Sequence, residues 1–242
     1  MKWNDLEKNK KVYLFITTFV IGFFIRMADP TSIIMCAFYI ILSIKIYRKD
    51  ERGNALGIKR SSWKNYLISA LAPGIFIAVF LPFYVWSLLC PMHLFDELLE
   101  MAYGLLGNIW LVIFVFYIII GTFSVFAEEV YFRGFMQDGM DDILGIKDYD
   151  NMKKLSLKRI ISLLIVSLLF GFSHLNLLWA SIYEWFPVQP DILFILIGFL
   201  SLSGVGFLFG ILRIKFDSLY PAIICHAISN FFMIFIPAFI LF

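Results

Sequence analysis

The chain has 242 residues, of which 61% are hydrophobic and 16% charged, and Phe alone accounts for 28. Soluble domains carry roughly 25% charged residues, so an ordinary soluble fold is excluded and a polytopic membrane protein is expected. The net charge of +2 says little, because its distribution matters here more than its sum, and no nucleic-acid partner is expected.

Met1–Lys11 is basic, through Lys2, Lys8, Lys10 and Lys11. Val12–Ile25 is a short apolar run closed by Arg26. It reads as an uncleaved first helix, because no small-residue cleavage site follows and more spans come after it. Arg26 is expected to snorkel to the membrane interface. Asp29-Pro30 breaks the run, and Thr31–Ile44 is a second short one, so the two read as a helical hairpin. Lys45–Lys64 is a basic loop. Asn65–Leu89 is the third span, kinked at Pro73 and Pro82. Cys90–Glu100 carries His93, Asp96, Glu97 and Glu100 without Lys or Arg, and His93 reads as a solvated loop residue.

The fourth span runs from Asn108 to about Met136. Asp138–Arg159 is polar and charged and is expected to shape access from the cytoplasmic side. Ile160–Tyr183 is the fifth span, Glu184–Asp191 an acidic turn, Ile192–Leu212 the sixth span, Arg213–Asp217 a basic turn and Ser218–Phe242 the seventh span. Lys and Arg cluster in alternate connections, which is the positive-inside pattern. The expected fold is an all-α polytopic membrane bundle of about seven transmembrane helices with a cytoplasmic N-terminus. Cys36, Cys90 and Cys225 are scattered in apolar runs and show neither a disulfide framework nor a metal spacing.

One stretch stands apart. Met101–Ala127 has no Asp, Glu, Lys or Arg, and it leads directly into Glu128-Glu129-Val130-Tyr131-Phe132-Arg133. Acids inside a hydrocarbon span cost several kcal/mol each unless they are paired or reach water, so they mark a functional site by default. Glu129 and Arg133 are four apart and share a helix face. Glu128 is rotated about 100° away. Glu129–Arg133 therefore reads as a brace and Glu128 as the free acid; the bland alternative makes both glutamates the interfacial end of a helix.

Two histidines lie in later apolar runs, His174 in Phe170-Gly171-Phe172-Ser173-His174 and His226 in His226-Ala227-Ile228-Ser229-Asn230. Phe170 shares a face with His174, and His226 shares one with Asn230. A lone membrane histidine is more often a packing residue than a catalyst, but here two accompany an unexplained glutamate. At about 1.5 Å per residue the depths of Glu128 and His226 agree, and His174 is the outlier. A buried carboxylate, two imidazoles and an amide suit hydrolysis, with a base for water and donors for an oxyanion. The same Glu128, His174 and His226 are alternatively ligands for zinc with an open position, although no compact HExxH pair exists.

Together the three segments resemble the motifs of the CAAX prenyl protease and bacteriocin-processing (CPBP) family of intramembrane endopeptidases. Glu128–Phe135 is similar to its EExxxR motif, Phe170–His174 to its FxxxH motif and His226–Asn230 to its HxxxN motif. Each is weak alone, and in this order they are specific. The resemblance covers 108–230 and divides the chain into 1–107, without an assigned motif, and a 108–242 catalytic core. It implies that Glu128 activates water, His174 assists, His226 and Asn230 form the oxyanion hole, and Glu129, Arg133 and Phe170 support them. It implies no cofactor, with zinc as the variant. The implied partners are a peptide or protein substrate, prenylated or not, and the lipid bilayer. The Phe-, Ile- and Lys-rich composition is compatible with a low-GC bacterium, so a bacterial plasma membrane is the expected location, with peptide processing or immunity favoured over prenyl-protein maturation. The competing readings are a non-catalytic peptide-binding or immunity protein and a proton-coupled transporter.

Overall fold

The computed structural model describes residues 6–28, 33–47, 57–74, 122–146, 155–175 and 192–241, with isolated positions at 104, 107, 111 and 114. Among these residues all regular structure is helical. The remainder of the third span, the 90–100 loop with His93 and the 176–191 segment lie outside the described residues.

Helix α1 (Lys8–Ala28) and helix α2 (Ile33–Tyr47) form the first pair. Helix α1 ends just before Asp29-Pro30, where a proline disfavours helical geometry in its predecessor. It is longer than the apolar run, because its first turn takes in Lys8, Lys10 and Lys11. Phe15, Thr18, Gly22 and Arg26 form its buried stripe, while Tyr13, Ile16, Val20 and Phe24 face outward. Gly22 permits close approach to α2, since a Cβ there would stand 2.9 Å from Tyr39 Cε1. Residues 63–74 are helical as well.

The central rod is continuous: α3 (Phe123–Glu129), a π-helical stretch π1 (Val130–Met136) and α4 (Gln137–Ile143). The fourth span was expected to end near Met136. It runs on because Asp138 and Asp141 are buried against cationic partners, and the buried Gln137 amide donates to Ser162 Oγ at 2.8 Å. Arg213 faces Asp138 at 3.7 Å, Arg159 faces Asp141 at 3.5 Å, and Lys11 faces Asp142 at 3.6 Å. The first part of the polar Asp138–Arg159 segment is thus core and not an access loop.

Helix α5 (Leu157–Ser173) is capped by Ser156, whose Oγ accepts from the Arg159 backbone N–H. The expected fifth span is interrupted, because α5 stops at Ser173 and His174 caps it. Helix α6 (Ile192–Phe216) and helix α7 (Leu219–Leu241) follow the sixth and seventh runs. Helix α6 absorbs most of the expected basic turn, including buried Arg213. Its Ile195–Phe216 portion is long and apolar enough to cross a bilayer, and Ile34–Lys45 and Leu219–Phe232 are shorter apolar helices. Helices α5 and α6 meet through small residues: a Cβ on Gly171 would lie 2.9 Å from the Phe199 carbonyl oxygen, and one on Gly210 would lie 2.1 Å from Leu163 Cδ1. Small residues let membrane helices approach this closely.

Residues 57–61 strap the α6–α7 junction. The Leu219 N–H donates to the Gly57 carbonyl at 2.8 Å, Ser218 Oγ donates to the Lys59 carbonyl at 2.6 Å, and Lys59 pairs with Asp217. Gly57 has φ +67°, and a Cβ there would fall 2.3 Å from Arg213 Cζ. An L-residue in this conformation costs about 1–2 kcal/mol, and displacing Arg213 adds to that. Gly57→Ala should therefore lower the detergent melting temperature measurably, and an unchanged melting temperature would show that the strap is dispensable.

Candidate active site

The first motif straddles α3 and the π-helical stretch: Glu128 and Glu129 end α3, and Arg133 lies on π1. In a π-helix the backbone bonds run from i to i+5, an arrangement found mostly at functional sites. Here the Gln137 N–H reaches the Phe132 carbonyl. The widened turn keeps the expected brace, with Arg133 Nε 3.4 Å from Glu129 Oε2. Arg133 is 1% exposed and Glu129 fully buried, so neither charge has a route to water. The guanidinium is held twice more: Nη2 donates to the Gly206 carbonyl at 2.9 Å, and Cζ lies 4.5 Å from the Phe170 ring centroid. Gly206 allows this approach, since a Cβ there would be 3.3 Å from Arg133 Nη2.

The structure places Glu128 beside His174, and Glu129 beside His226. Glu128 Oε2 is 3.6 Å from His174 Nε2, and Glu129 Oε1 is 2.8 Å from His226 Nδ1. His226 also acts electrostatically on Glu128, so all four groups form one cluster. Phe170 is the shared wall: its centroid is 4.5 Å from the His174 ring and 5.8 Å from the His226 ring. Phe209 stacks on the His226 ring, with centroids 4.5 Å apart, and meets Phe170 edge-on at 6.2 Å. The depth mismatch expected for His174 shrinks because the rod runs on to Ile143, which puts Glu128 fifteen residues from its inner end against seventeen from Leu157 to His174 in α5. Asn230 lies one turn beyond His226 on α7, half-buried.

Two sequence expectations fail here. Glu128 is not the free acid, and Arg26 does not snorkel. Arg26 Nη1 donates to Glu128 Oε1 at 3.1 Å, and Arg26 is 5% exposed. The pair joins residues 102 apart. Two Arg–Glu–His chains therefore lie side by side, Arg26–Glu128–His174 and Arg133–Glu129–His226. Sequence reasoning missed Arg26 as a site residue. Its signal was available: a single cation closing an apolar run is as costly as Glu128 itself.

The hydrogen-bond geometry restricts the tautomers. His174 Nδ1 is 2.8 Å from the Phe170 carbonyl, which only accepts, so Nδ1 carries the proton. In the neutral ring Nε2 is then an acceptor, facing another acceptor, Glu128 Oε2. Such a pair needs a shared donor: a second proton on His174, or a water giving one hydrogen to each. A 3.6 Å gap is longer than a direct hydrogen bond. His226 Nδ1 donates to the Glu129 carboxylate. Its Nε2 can donate to an incoming group only when both ring nitrogens carry protons.

The metal alternative meets these same contacts. Glu128 Oε1 and both Glu129 oxygens already face cations or imidazole N–H groups, and two guanidiniums balance the two carboxylates. Among the described residues no group of three or more His, Cys, Asp or Glu is arranged to hold a metal ion.

A family model described as type II CAAX prenyl endopeptidase, Rce1-like, matches residues 110–232, just over half of the chain. No curated protein and no solved structure matches. The chain belongs to the Rce1-like family of CAAX-type intramembrane endopeptidases.

Proposed function

We propose that the chain, as a member of this family, hydrolyses peptide bonds in a membrane-associated protein or peptide, with Glu128 as the general base. The observation that carries this is the acceptor–acceptor pair Glu128 Oε2 and His174 Nε2 at 3.6 Å. A water that donates to both acceptors turns a lone pair outward. Attack on the scissile carbonyl forms the C–O bond, and one water proton passes to Glu128. The carbonyl oxygen becomes an oxyanion, stabilised by His226 Nε2–H and the Asn230 amide, whose residues lie one turn apart on α7. Such preorganised donors are usually the largest single catalytic contribution. Collapse breaks the C–N bond, and Glu128 returns the proton to the leaving amine. The products are a carboxylic acid and an amine, with no net proton gained or lost by the enzyme.

The reading extends to substrate and setting. The substrate is a peptide or protein, prenylated or unprenylated, and peptide processing or immunity in a bacterial plasma membrane fits the composition. Seven spans with a cytoplasmic N-terminus fit the alternation of basic connections. No metal is required, since the two arginines already balance both acids.

The test is a panel of quenched peptides, prenylated and unprenylated, given to purified protein with and without a chelator. We expect cleavage that persists with chelator. Loss with chelator, restored by zinc, would move the mechanism to a metal. A His174→Ala variant should lose roughly 100-fold in kcat. Should neither the panel nor a complex membrane-peptide mixture read by mass spectrometry yield new termini, the peptide-binding reading would replace the enzymatic one.

A further inference from the structure

We infer that Arg26, on a helix outside the family-matched residues, is a positioning residue of the catalytic centre, fixing Glu128 so that Oε2 faces His174. The inference rests on the reading of Glu128 as the base.

The first support is geometric. Arg26 takes Glu128 Oε1 at 3.1 Å, while His174 Nε2 faces Oε2 at 3.6 Å. A carboxylate has two oxygens, and holding one by a charge-assisted bond sets the direction of the other. Arg133 lies on the neighbouring acid and cannot do this for Glu128: its Nε contacts Glu129 Oε2.

The second support is register. Helix α1 lies antiparallel to the central rod and is tied to it at both ends. Lys11 pairs with Asp142 and Arg26 with Glu128. Lys11 to Arg26 is fifteen residues, and Asp142 back to Glu128 is fourteen. At about 1.5 Å per residue these spans are about 22 and 21 Å, so both pairs close on one alignment. Lys11, Phe15, Thr18, Gly22 and Arg26 are spaced four, three, four and four apart, which is one helical face.

The third support is the surroundings of Arg26. The Tyr39 hydroxyl of α2 interacts with the Arg26 guanidinium, and Tyr39 stacks on Tyr131 of π1, with ring centroids 4.0 Å apart and planes 3° from parallel. The guanidinium is thus steadied by a ring that is itself fixed to the motif-bearing rod. A buried ion pair is weak evidence for stability; an apolar pair would have served the α1 contact as well. What the guanidinium supplies beyond packing is a fixed orientation for the base.

The test uses full-length protein on a peptide that wild type cleaves, with kcat and KM measured separately. Arg26→Gln should lose about 100-fold in kcat with KM within about twofold, and millimolar methylguanidine should recover at least tenfold of that loss. Arg26→Lys keeps the charge with one contact to a single oxygen and should lose about tenfold in kcat. A merely structural pair predicts altered melting without rescue by methylguanidine. The inference is overturned by an Arg26→Gln protein that folds and keeps kcat within threefold of wild type, or by one whose loss methylguanidine does not touch. Should Arg26→Gln fail to fold, Arg26→Lys decides, and an unchanged kcat overturns the inference. Glu128→Gln runs in parallel: if that variant still cleaves, the base reading itself is wrong, whereas an inactive Glu128→Gln beside a fully active Arg26→Gln sinks only the role given to Arg26.

Discussion

Glu128→Gln should lower kcat for peptide hydrolysis by at least about 1000-fold, at the upper part of the range for losing a positioned base. The amide has nearly the same shape as the carboxylate and keeps an oxygen that can accept from Arg26 Nη1, which now stands 3.1 Å from Oε1. What it loses is the ability to take a proton from the water shared with His174. KM should therefore change little, because an interaction used only in the transition state lowers kcat and kcat/KM together. Glu128→Asp separates chemistry from placement. It retains a base but draws it back by one methylene, away from both Arg26 and His174, and a displacement of about 1 Å costs on the order of 100-fold. Glu129→Gln is the contrast, since Glu129 faces Arg133 and His226 and not the His174 gap. Steady-state kinetics on all three proteins would settle the assignment. A Glu128→Gln enzyme within tenfold of wild type would place the base elsewhere in the cluster.

The local half of this site was legible in the sequence, and the tertiary half was not. Glu129 and Arg133 were readable as a pair because four residues on a helix make one face, and the pairing survives even though the backbone there is π-helical. The motif histidines were readable because imidazoles are rare inside apolar runs. The partner of each acid beyond its own helix was not readable. Nothing in local spacing says that His226 goes to Glu129 and His174 to Glu128; that choice is made by how α5 and α7 pack on the shared Phe170 wall. Arg26 was misjudged for a general reason. Snorkelling is the usual escape for an arginine near a helix end, and it fails here only because a buried carboxylate on another helix waits at the same depth. The same physics extended the central rod. Asp138 and Asp141 read as the start of a polar loop, yet Arg213 and Arg159 neutralise them inside the bundle. The helix stop at Ser173 was hidden by the apolar run continuing past it.

Arg133→Met should be the most destabilising single change at the site, by roughly 3–5 kcal/mol, the range for breaking one partner of a buried ion pair. Removing the guanidinium leaves the fully buried Glu129 with His226 alone, among the described residues, to answer its charge. It also removes the side-chain donor to the Gly206 carbonyl and strips the cation from the face of Phe170. Phe170 touches both motif histidines, so the damage spreads from stability to geometry. The double variant Glu129→Gln/Arg133→Met tests whether charge or packing is responsible. Gln keeps an acceptor for His226 Nδ1 while removing the uncompensated charge. If the cost of Arg133→Met is electrostatic, the double variant should regain more than half of the lost stability, read as denaturation midpoints in detergent. Its activity should stay low, because the charge-assisted bond from His226 Nδ1 to the Glu129 carboxylate, which orients the imidazole, is replaced by a weaker neutral one. A double variant as unstable as Arg133→Met alone would assign the effect to the Phe170 and Gly206 contacts instead. Recovery of stability without recovery of activity would separate the two tasks of the second Arg–Glu–His chain: Arg133 makes Glu129 tolerable in the bundle, and Glu129 in turn fixes the orientation in which His226 meets the reaction.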